Sequence, residues 1–199
     1  MPNQAPAIYA TERLLVRELD TADLVDVFPI VSSTLNTAYL PAGAVDLEQA
    51  EAFILRAQAD RLKERRRYAL AVCLKQTGEL IGLVTLTLDE ELPVGRIGYV
   101  IGMEHWRQGF GSEAVKGLVR FAFLGLELHR LFAETDEKNL PSARVLEKCG
   151  FRREGHLIKA RRAVRNGRAV WTSVFHYAML KKEYLSALPD GFHSPTGID

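Results

Sequence analysis

The sequence is poor in cysteine and has no long run of apolar residues. Cys73 and Cys149 are the two cysteines among 199 residues, and they lack the CxxC spacing of many metal and redox sites. Both lie in apolar surroundings, so we expect buried, reduced thiols. No segment approaches the ~20 apolar residues of a membrane-spanning helix, and the first ten residues lack the basic and apolar regions of a signal peptide. We therefore expect a cytoplasmic protein with no metal and no membrane partner.

An excess of charge of either sign is also lacking. The formal net charge at pH 7 is +1, so we expect no direct nucleic-acid partner. Apolar residues make up 47% of the chain, which is enough for a sizeable core, and the length suits one domain. We assign residues 1–190 to this domain. Residues 191–199 contain glycine and proline and are expected to form a loose tail.

The spacing of apolar residues predicts strands and helices along the whole domain. Strand patterns occur at 13–19, 68–74, 80–88, 96–101, 130–135, 151–163 and 169–180. Helices are predicted at 21–31, 46–62, 112–124, 139–150 and 181–188. Most neighbouring strands are joined by short turns and should be antiparallel. A loop and a helix join 96–101 to 130–135, so these two strands should be parallel neighbours. The prediction is a mixed α/β (α+β) domain, with helices packed on a mostly antiparallel sheet.

A glycine-rich loop lies between a predicted strand and a predicted helix. Gly109 and Gly111 let the backbone approach a ligand, and the N–H groups of the helix start then point at one spot, a geometry that binds phosphate. A tight turn without a ligand is the alternative. The Walker pattern requires a lysine directly after the second glycine, and Ser112 follows here. The dinucleotide fingerprint requires a third glycine near an N-terminal strand, whereas this loop lies mid-chain and Ala114 replaces any third glycine.

A third phosphate-loop pattern matches. The segment Trp106-Arg107-Gln108-Gly109-Phe110-Gly111 resembles the acyl-CoA pyrophosphate loop of the GNAT acetyltransferase superfamily, written Arg/Gln-x-x-Gly-x-Gly/Ala. Trp106 at the first position resembles the branch with the Rim-type enzymes, which acetylate ribosomal-protein N-termini. Further motifs resemble the same branch: Thr11-Glu12-Arg13-Leu14, Leu128-His129-Arg130, Asn139-Leu140-Pro141-Ser142-Ala143-Arg144-Val145-Leu146-Glu147-Lys148-Cys149-Gly150-Phe151 and Arg165-Asn166-Gly167-Arg168. The resemblance extends from Thr11 to Tyr184.

The resemblance implies a GNAT-like fold of about seven strands with one splayed parallel pair, and acetyl-CoA as co-substrate. The pantetheine arm is expected between the splayed strands, bonded to the backbone of Val100 and Ile101, where an N–H group would also meet the oxyanion. Asn139 is expected to bond the pantetheine, although an asparagine before Leu-Pro is also a good helix cap. The pyrophosphate is expected on the loop amides of Arg107, Gln108, Gly109, Phe110, Gly111 and Ser112.

The implied reaction is direct attack of an amine on a thioester. The amine must lose a proton, which is easier for an α-amine with a pKa of about 8 than for a lysine amine near 10.4. We expect Glu134 to act as the base, because some relatives place a catalytic glutamate five residues before the asparagine; an ion-paired or surface glutamate is the alternative. Many family members have a tyrosine acid where this chain has Leu146. Either Ser142, expected near the thiol, replaces it, or no acid is needed.

Other polar residues near the motifs receive weaker assignments. Tyr99 and His105 are expected in packing or at the rim of the site, and Cys149 in the core. Arg144 or Lys148 are candidates for the 3′-phosphate of CoA. Two basic segments form either solvated faces or a docking surface for an acidic partner such as a ribosomal particle. The segments are Arg61, Lys63, Arg65, Arg66 and Arg67, and Arg152, Arg153, Lys159, Arg161, Arg162, Arg165 and Arg168.

The leading hypothesis is an acetyl-CoA-dependent N-acetyltransferase that acts on a protein N-terminal α-amine. A small-molecule amine, such as a polyamine or an aminoglycoside, would favour an acidic pocket, and the sequence near the early helices has no acidic cluster. Two further hypotheses are a non-catalytic acyl-CoA-binding module and, more distantly, a nucleotide-binding protein. The sequence leaves a monomer and a homodimer equally open.

Overall fold

The computed structural model describes residues 5–62, 64–165 and 167–189. Its strands are β1 (Ala7–Ala10), β2 (Leu14–Glu18), β3 (Arg67–Leu74), β4 (Leu80–Leu88), β5 (Val94–Ile101), β6 (Arg130–Asp136), β7 (Arg152–Arg165) and β8 (Arg168–Leu180). Its α-helices are α1 (Leu24–Ser32), α2 (Leu47–Ala59), α3 (Phe110–Arg120), α4 (Leu140–Lys148) and α5 (Lys181–Ser186). Among these residues, no helix is long and apolar enough to cross a membrane.

The strands form one sheet in the order β1-β2-β3-β4-β5-β6-β8-β7. Every neighbouring pair is antiparallel except β5 and β6, which are parallel as predicted, because α3 returns the chain to the same end of the sheet. Their pairing covers three positions and ends at Arg96 and Phe132, although the strands continue to Ile101 and Asp136. The two strands therefore splay apart over their carboxyl-terminal halves.

Two apolar clusters cover the two faces of the sheet. The larger contains residues of α3 and α4 together with Ile97 and Ala133 of the splayed strands. The smaller contains residues of α1 and α2, and Val100 packs against it. Side chains alternate between faces along a strand, so Glu134, next to Ala133, lies on the α1/α2 face. A ligand in the splay is thus accessible to different side chains from each face.

The predicted fold class is confirmed, with differences in detail. The described residues form eight strands, because the four-residue segment β1 pairs with β2 although its sequence is too short to show a pattern. Helix α3 begins at Phe110, earlier than the predicted Ser112, because Gly109 occupies its N-cap position at φ +85°. Of the predicted final turn, Gly167 is at φ +72°, while Asn166 lies outside the described residues. The predicted tail at 191–199 also lies outside them, so the domain bounds stay a prediction.

The first basic segment is partly internal. Arg65 Nη2 donates to Oε2 of Glu18 at 2.9 Å, and Arg61 Nε lies 3.1 Å from the same oxygen. The side chain of Glu18 is 4% exposed, so this carboxylate requires paired cations. Neither alternative for this segment, a solvated face or a docking surface, therefore describes Arg61 and Arg65. Lys63 lies outside the described residues.

Candidate active site

The end of β5 leads into the glycine loop, which is fastened back to the strand. The indole Nε1 of Trp106 donates to the carbonyl oxygen of Ile101 at 2.7 Å. Trp106 thus ties the loop to the splay, which gives a physical role for tryptophan at this position of the motif. The backbone of Val100 and Ile101 lies at the splayed edge, as the pantetheine prediction requires, but the Ile101 carbonyl already has this partner within the protein.

The loop presents the start of α3 to solvent. Arg107 at φ +62° and Gly109 at φ +85° turn the chain, and the first α-helical bond runs from Glu113 N to Gly109 O at 3.0 Å. The amides of Phe110, Gly111 and Ser112 precede that bond and have no intrahelical acceptor. Together with the positive end of the helix dipole they form an anion-binding surface.

Thr11 and Arg13 of the N-terminal motif bond to the glycine loop and to the start of α3, a role that the sequence did not reveal. Arg13 Nη1 donates to Gln108 O at 3.0 Å, and its guanidinium lies 4.4 Å from the Phe110 ring centroid. Thr11 Oγ1 donates to Glu113 Oε1 at 2.6 Å, and Arg13 Nε to Oε2 at 2.7 Å. Burial acts to raise the pKa of Glu113, but these hydrogen bonds together outweigh it and lower this pKa. The Glu113 charge is therefore neutralised at the back of the loop rather than presented to a bound anion.

The glycine loop fits the pyrophosphate of acetyl-CoA. A Cβ at Gly111 would meet the side chains of Ile101 and Val145 at an ordinary 3.8 Å, and its φ is not positive. Packing within the protein therefore does not require glycine at position 111, whereas close approach of an anion to the backbone does. The amides from Arg107 to Ser112 would hold the pyrophosphate, and bound acetyl-CoA supplies the activated thioester.

Alanine at Gly109 tests this loop. Alanine at φ +85° is strained by about 1–2 kcal/mol, and its Cβ would lie 3.3 Å from Arg13 Nη2. We expect Gly109→Ala to weaken CoA binding about tenfold by titration calorimetry. The matched control is Gly78→Ala in the β3–β4 turn, where φ is +78° and no atom lies within 4 Å of the added Cβ. Equal CoA affinity in both variants would show that the loop is not part of the CoA-binding site.

Helix α4 begins at the open end of the splay. Asn139 Oδ1 accepts from Ser142 N at 3.2 Å, so the capping role of Asn139 is present, and its contact with pantetheine stays a prediction. The Ser142 hydroxyl lies 2.8 Å from the Tyr99 hydroxyl. Leu146, at the usual tyrosine position, is 1% exposed within the core. Arg144 and Lys148 are exposed on α4, and their contact with the 3′-phosphate also stays a prediction.

A cavity of about 440 Å³ opens on the α1/α2 face of the splay. Its roof is the segment after α1, its floor is formed by β4, β5 and β6, and α4 closes one end. Most of the lining side chains are apolar or uncharged. The lining includes Thr37, Tyr39, Leu40, Pro41, Val45, Gln49, Phe53, Thr85, Arg96, Gly98, Tyr99, Val100, Glu134, Asp136, Asn139, Ser142 and Arg161. The structure thus brings Glu134, Ser142, Asn139 and Val100 to one cavity.

The two carboxylates that line this cavity are both ion-paired. Glu134 Oε2 accepts from Arg96 Nη2 at 3.0 Å, so the ion-paired alternative for Glu134 is present at the edge of the cavity. Asp136 Oδ2 lies 3.2 Å from Arg165 Nη2 and 3.7 Å from Arg161 Nη2. Burial lowers the pKa of Arg161, and the Asp136 carboxylate opposes that shift. The cavity therefore has little uncompensated negative charge.

The second basic segment also has inward-facing members, contrary to both sequence interpretations. Arg165 Nη1 donates to Leu40 O at 2.8 Å, and Val164 N donates to Pro41 O at 2.9 Å. The last hairpin thus fastens the roof of the cavity. Its remaining basic residues include the exposed Arg162 and Arg168, for which docking stays untested.

His105, which flanks the glycine loop in the sequence, lies outside the cavity. His105 Nε2 lies 3.1 Å from Glu79 Oε1 at the rim of a second recess, which shares no lining residue with the cavity. Asp26, Glu79 and Glu104 line that recess, so acidic side chains do gather near α1, which the sequence did not reveal.

Burial raises the pKa of Cys149 to about 11, so this thiol is a poor nucleophile. Among the described residues, no group of three His, Cys, Asp or Glu side chains could hold a metal ion.

Comparison with known proteins agrees with this geometry. A family model for the acetyltransferase (GNAT) domain matches residues 13–152. A Bacillus licheniformis protein named uncharacterized N-acetyltransferase p20 is 33% identical over 180 residues, which cover 87% of this chain and 96% of the relative.

Two solved structures share the fold. Ribosomal-protein-S5-alanine acetyltransferase from Vibrio fischeri has a TM-score of 0.74 and 21% identity, over 87% of this chain and 96% of that one. Spermidine N-acetyltransferase from Vibrio cholerae, solved in complex with CoA and spermine, has a TM-score of 0.75 and 23% identity, over 87% of this chain and 98% of that one. At these identities the likeness concerns the fold alone, so neither structure decides the acceptor.

Proposed function

Because the chain belongs to the GNAT acetyltransferase family and is therefore an acetyl-CoA-dependent N-acetyltransferase, we propose that its acceptor is the α-amine at a protein N-terminus. The observation that carries the proposal is the charge balance of the cavity beside the splay. Glu134 has Arg96 as its partner, and Asp136 has Arg161 and Arg165.

This charge balance disfavours a polyamine. A polyamine carries several ammonium groups, and each loses hydration on entering a cavity unless an uncompensated carboxylate replaces the water. A peptide N-terminus brings a single ammonium group, with a pKa of about 8, and can enter as the neutral amine. The acidic recess near α1 does not alter this balance, because its lining does not include Glu134 or any other residue of the cavity.

The shape of the cavity also suits a peptide. Its lining contains Tyr39 and Pro41 of the roof and Phe53 of α2, which can contact the first side chain of an acceptor. Thr85 and Gly98 are cross-strand neighbours on the floor, and a Cβ at Gly98 would lie 2.7 Å from Thr85 Oγ1. Glycine at 98 thus keeps the floor flat beside the reacting atoms.

We assign the steps of acetyl transfer to residues around the splay. The amides from Arg107 to Ser112 hold the pyrophosphate, and the backbone of Val100 and Ile101 with Asn139 holds the pantetheine. Glu134 accepts a proton from the ammonium group of the acceptor, directly or through one water, and leaves the neutral amine. The amine nitrogen then bonds to the thioester carbon, and a backbone N–H near Val100 or Ile101 stabilises the negative oxygen. The carbon–sulfur bond breaks, its electron pair leaves with the thiolate near Ser142, and the nitrogen releases a second proton to solvent water as the amide forms.

A panel of acceptors tests the proposal. We expect peptides with a free N-terminal α-amine to be acetylated with kcat/KM at least about tenfold above spermidine, since one buried, unpaired charge costs more than 1.4 kcal/mol. Thiol release from acetyl-CoA gives the rate, and mass spectrometry of a lysine-containing peptide locates the acetyl group. The same peptide with a blocked N-terminus is the control for lysine acetylation.

Each outcome of the panel has a definite meaning. Preference for spermidine, or acetylation of the blocked peptide at an equal rate, would overturn the α-amine proposal. No thiol release with any amine, together with normal CoA binding, would indicate a non-catalytic acyl-CoA-binding module.

A further inference from the structure

The buried Leu146 leaves the departing thiolate without the expected tyrosine. Its side chain is 1% exposed and belongs to the larger apolar cluster, so it offers no hydrogen-bond donor. Ser142 lies one helical turn earlier on the same helix and lines the cavity. A single serine hydroxyl with a free rotor is a weakly directed donor, because its hydrogen turns toward any acceptor in reach.

Tyr99 provides a hydroxyl from another direction. It lies on the splayed half of β5, packs against the same apolar cluster as Leu146, and lines the same cavity as Ser142. Its hydroxyl oxygen is 2.8 Å from Ser142 Oγ and 3.0 Å from Ser142 O. We infer that Tyr99 is a positioning residue, whose O–H donates to Ser142 Oγ and thereby directs the Ser142 hydrogen at the sulfur of the departing thiolate.

The count of hydrogens distinguishes two arrangements of these hydroxyls. Each hydroxyl carries one hydrogen. If the Tyr99 hydrogen went to the Ser142 carbonyl, the Ser142 hydrogen could point back at the Tyr99 oxygen and would be lost to the sulfur. When the Tyr99 hydrogen goes to Ser142 Oγ, the Ser142 hydrogen must point elsewhere, and the cavity is the open side. A thiolate is the stronger acceptor and favours this second arrangement.

The chemistry balances without a proton from tyrosine. The carbon–sulfur bond breaks, its electron pair stays on sulfur, and the thiolate receives a hydrogen bond from Ser142. The ammonium proton goes to Glu134, and the second proton that the nitrogen loses on forming the amide goes to solvent water. Burial raises the pKa of Tyr99 above its ordinary value, which keeps the phenol a neutral donor throughout.

The first readout of the test measures bound CoA and needs no acceptor, and the second measures turnover. A hydrogen bond to the thiolate lowers the pKa of the bound CoA thiol, which the ultraviolet absorbance of the thiolate reports as pH is varied. We expect Tyr99→Phe to raise that pKa by about one pH unit, and to lower kcat about tenfold with the KM for acetyl-CoA unchanged. Tyr99→Met serves as a second variant without the hydroxyl, should the phenylalanine variant not fold.

Tyr177→Phe is the matched control. Tyr177 is a buried member of the apolar cluster against which Tyr99 packs, and its hydroxyl donates to Glu147 of α4 at 2.8 Å. It therefore tests the loss of a tyrosine hydroxyl that is bound to the same helix at Glu147 instead of at Ser142. We expect this variant to leave the pKa of the bound CoA thiol and kcat unchanged. Its melting temperature should be close to that of Tyr99→Phe.

The inference rests on the proposed function, in which Ser142 lies beside the thiol. Variants of Ser142 and of Tyr99 distinguish a wrong place for Ser142 from a wrong role for Tyr99. If Ser142→Ala raises the thiol pKa and Tyr99→Phe does not, the role of Tyr99 is wrong while that of Ser142 stands. If Ser142→Ala has no effect, the proposed place of Ser142 is wrong. A Tyr99→Phe/Ser142→Ala double variant should resemble Ser142→Ala alone, and a further loss would show that Tyr99 does not act through Ser142.

Discussion

Glu134→Gln is expected to lower kcat/KM at pH 7 by at least about a hundredfold, the lower limit for loss of a general base. Glu134 lies on the α1/α2 face of the sheet, and it lines the cavity at the splay. Glutamine preserves the size of the side chain but cannot accept a proton from an ammonium group. The Glu134–Arg96 ion pair has an arginine that is 49% exposed, so little stability is expected to depend on it.

The pH dependence of the activity lost in Glu134→Gln identifies the acceptor as well as the base. As the pH rises, a larger fraction of the amine is already neutral and the base becomes less necessary. For an α-amine the activity of Glu134→Gln should recover toward wild type above a pH of about 8, and for a lysine amine only toward about 10. Rates measured between pH 6 and 10.5 with one peptide decide between them.

Glu137→Gln is the control for the base assignment. Glu137 follows on the same stretch of chain and lies 2.9 Å from His156 Nε2, outside the cavity lining. We expect its activity to match wild type at every pH. Full activity of Glu134→Gln across the pH range would show that Glu134 is not the base.

Asp136→Ala is expected to destabilise the protein by about 3 kcal/mol or more, because two arginines would lose their internal counter-charge. The Asp136 side chain is 5% exposed, and those of Arg161 and Arg165 are 12% and 25% exposed. For a chain of this size the melting temperature should fall by about 6–12 °C. Arg165 also holds the Leu40 carbonyl, so the roof of the cavity should loosen. The KM for the acceptor should rise while CoA affinity stays unchanged.

Glu154→Ala is the matched surface control for this prediction. Glu154 also pairs with two arginines, Arg130 and Arg152, but its side chain is 27% exposed. Water replaces the lost partner there, so we expect a loss of about 1 kcal/mol or less. Thermal unfolding of both variants makes the comparison. Equal losses would show that burial of Asp136 contributes nothing beyond an ordinary surface ion pair.

Local signals in the sequence predicted the donor side of the site. Glycines between a strand and a helix, with the motif that begins at Trp106, predict an anion loop, because helix N-termini and glycine have the same local physics in any fold. The role of Asn139 as a helix cap was foreseen for the same reason. The support of the loop by Thr11 and Arg13 could not be foreseen, since it joins segments about a hundred residues apart. The sequence shows a motif at the start of the chain, but it does not show that this motif contacts the glycine loop.

The two basic segments show the opposite case. A count of charges cannot distinguish Arg162, which is exposed, from Arg161, which lies in the cavity wall beside Asp136. Neighbours in a strand point to opposite faces, so the difference depends on which face the sheet buries. The same limit applies to Tyr99, which sequence assigned to packing or the rim and which the structure places against Ser142.

The sequence by itself determined the fold class and the parallel pair of strands, and it predicted the acetyl-CoA loop. Each of these follows from periodicity, from connection length or from a contiguous motif. Only the tertiary structure decided how far β5 and β6 pair before they splay, which carboxylates are compensated in the cavity beside the splay, and which hydroxyl lies beside Ser142. These features depend on side chains that meet across the sheet from distant segments, and their free energies are set by burial and by partners that no local pattern contains.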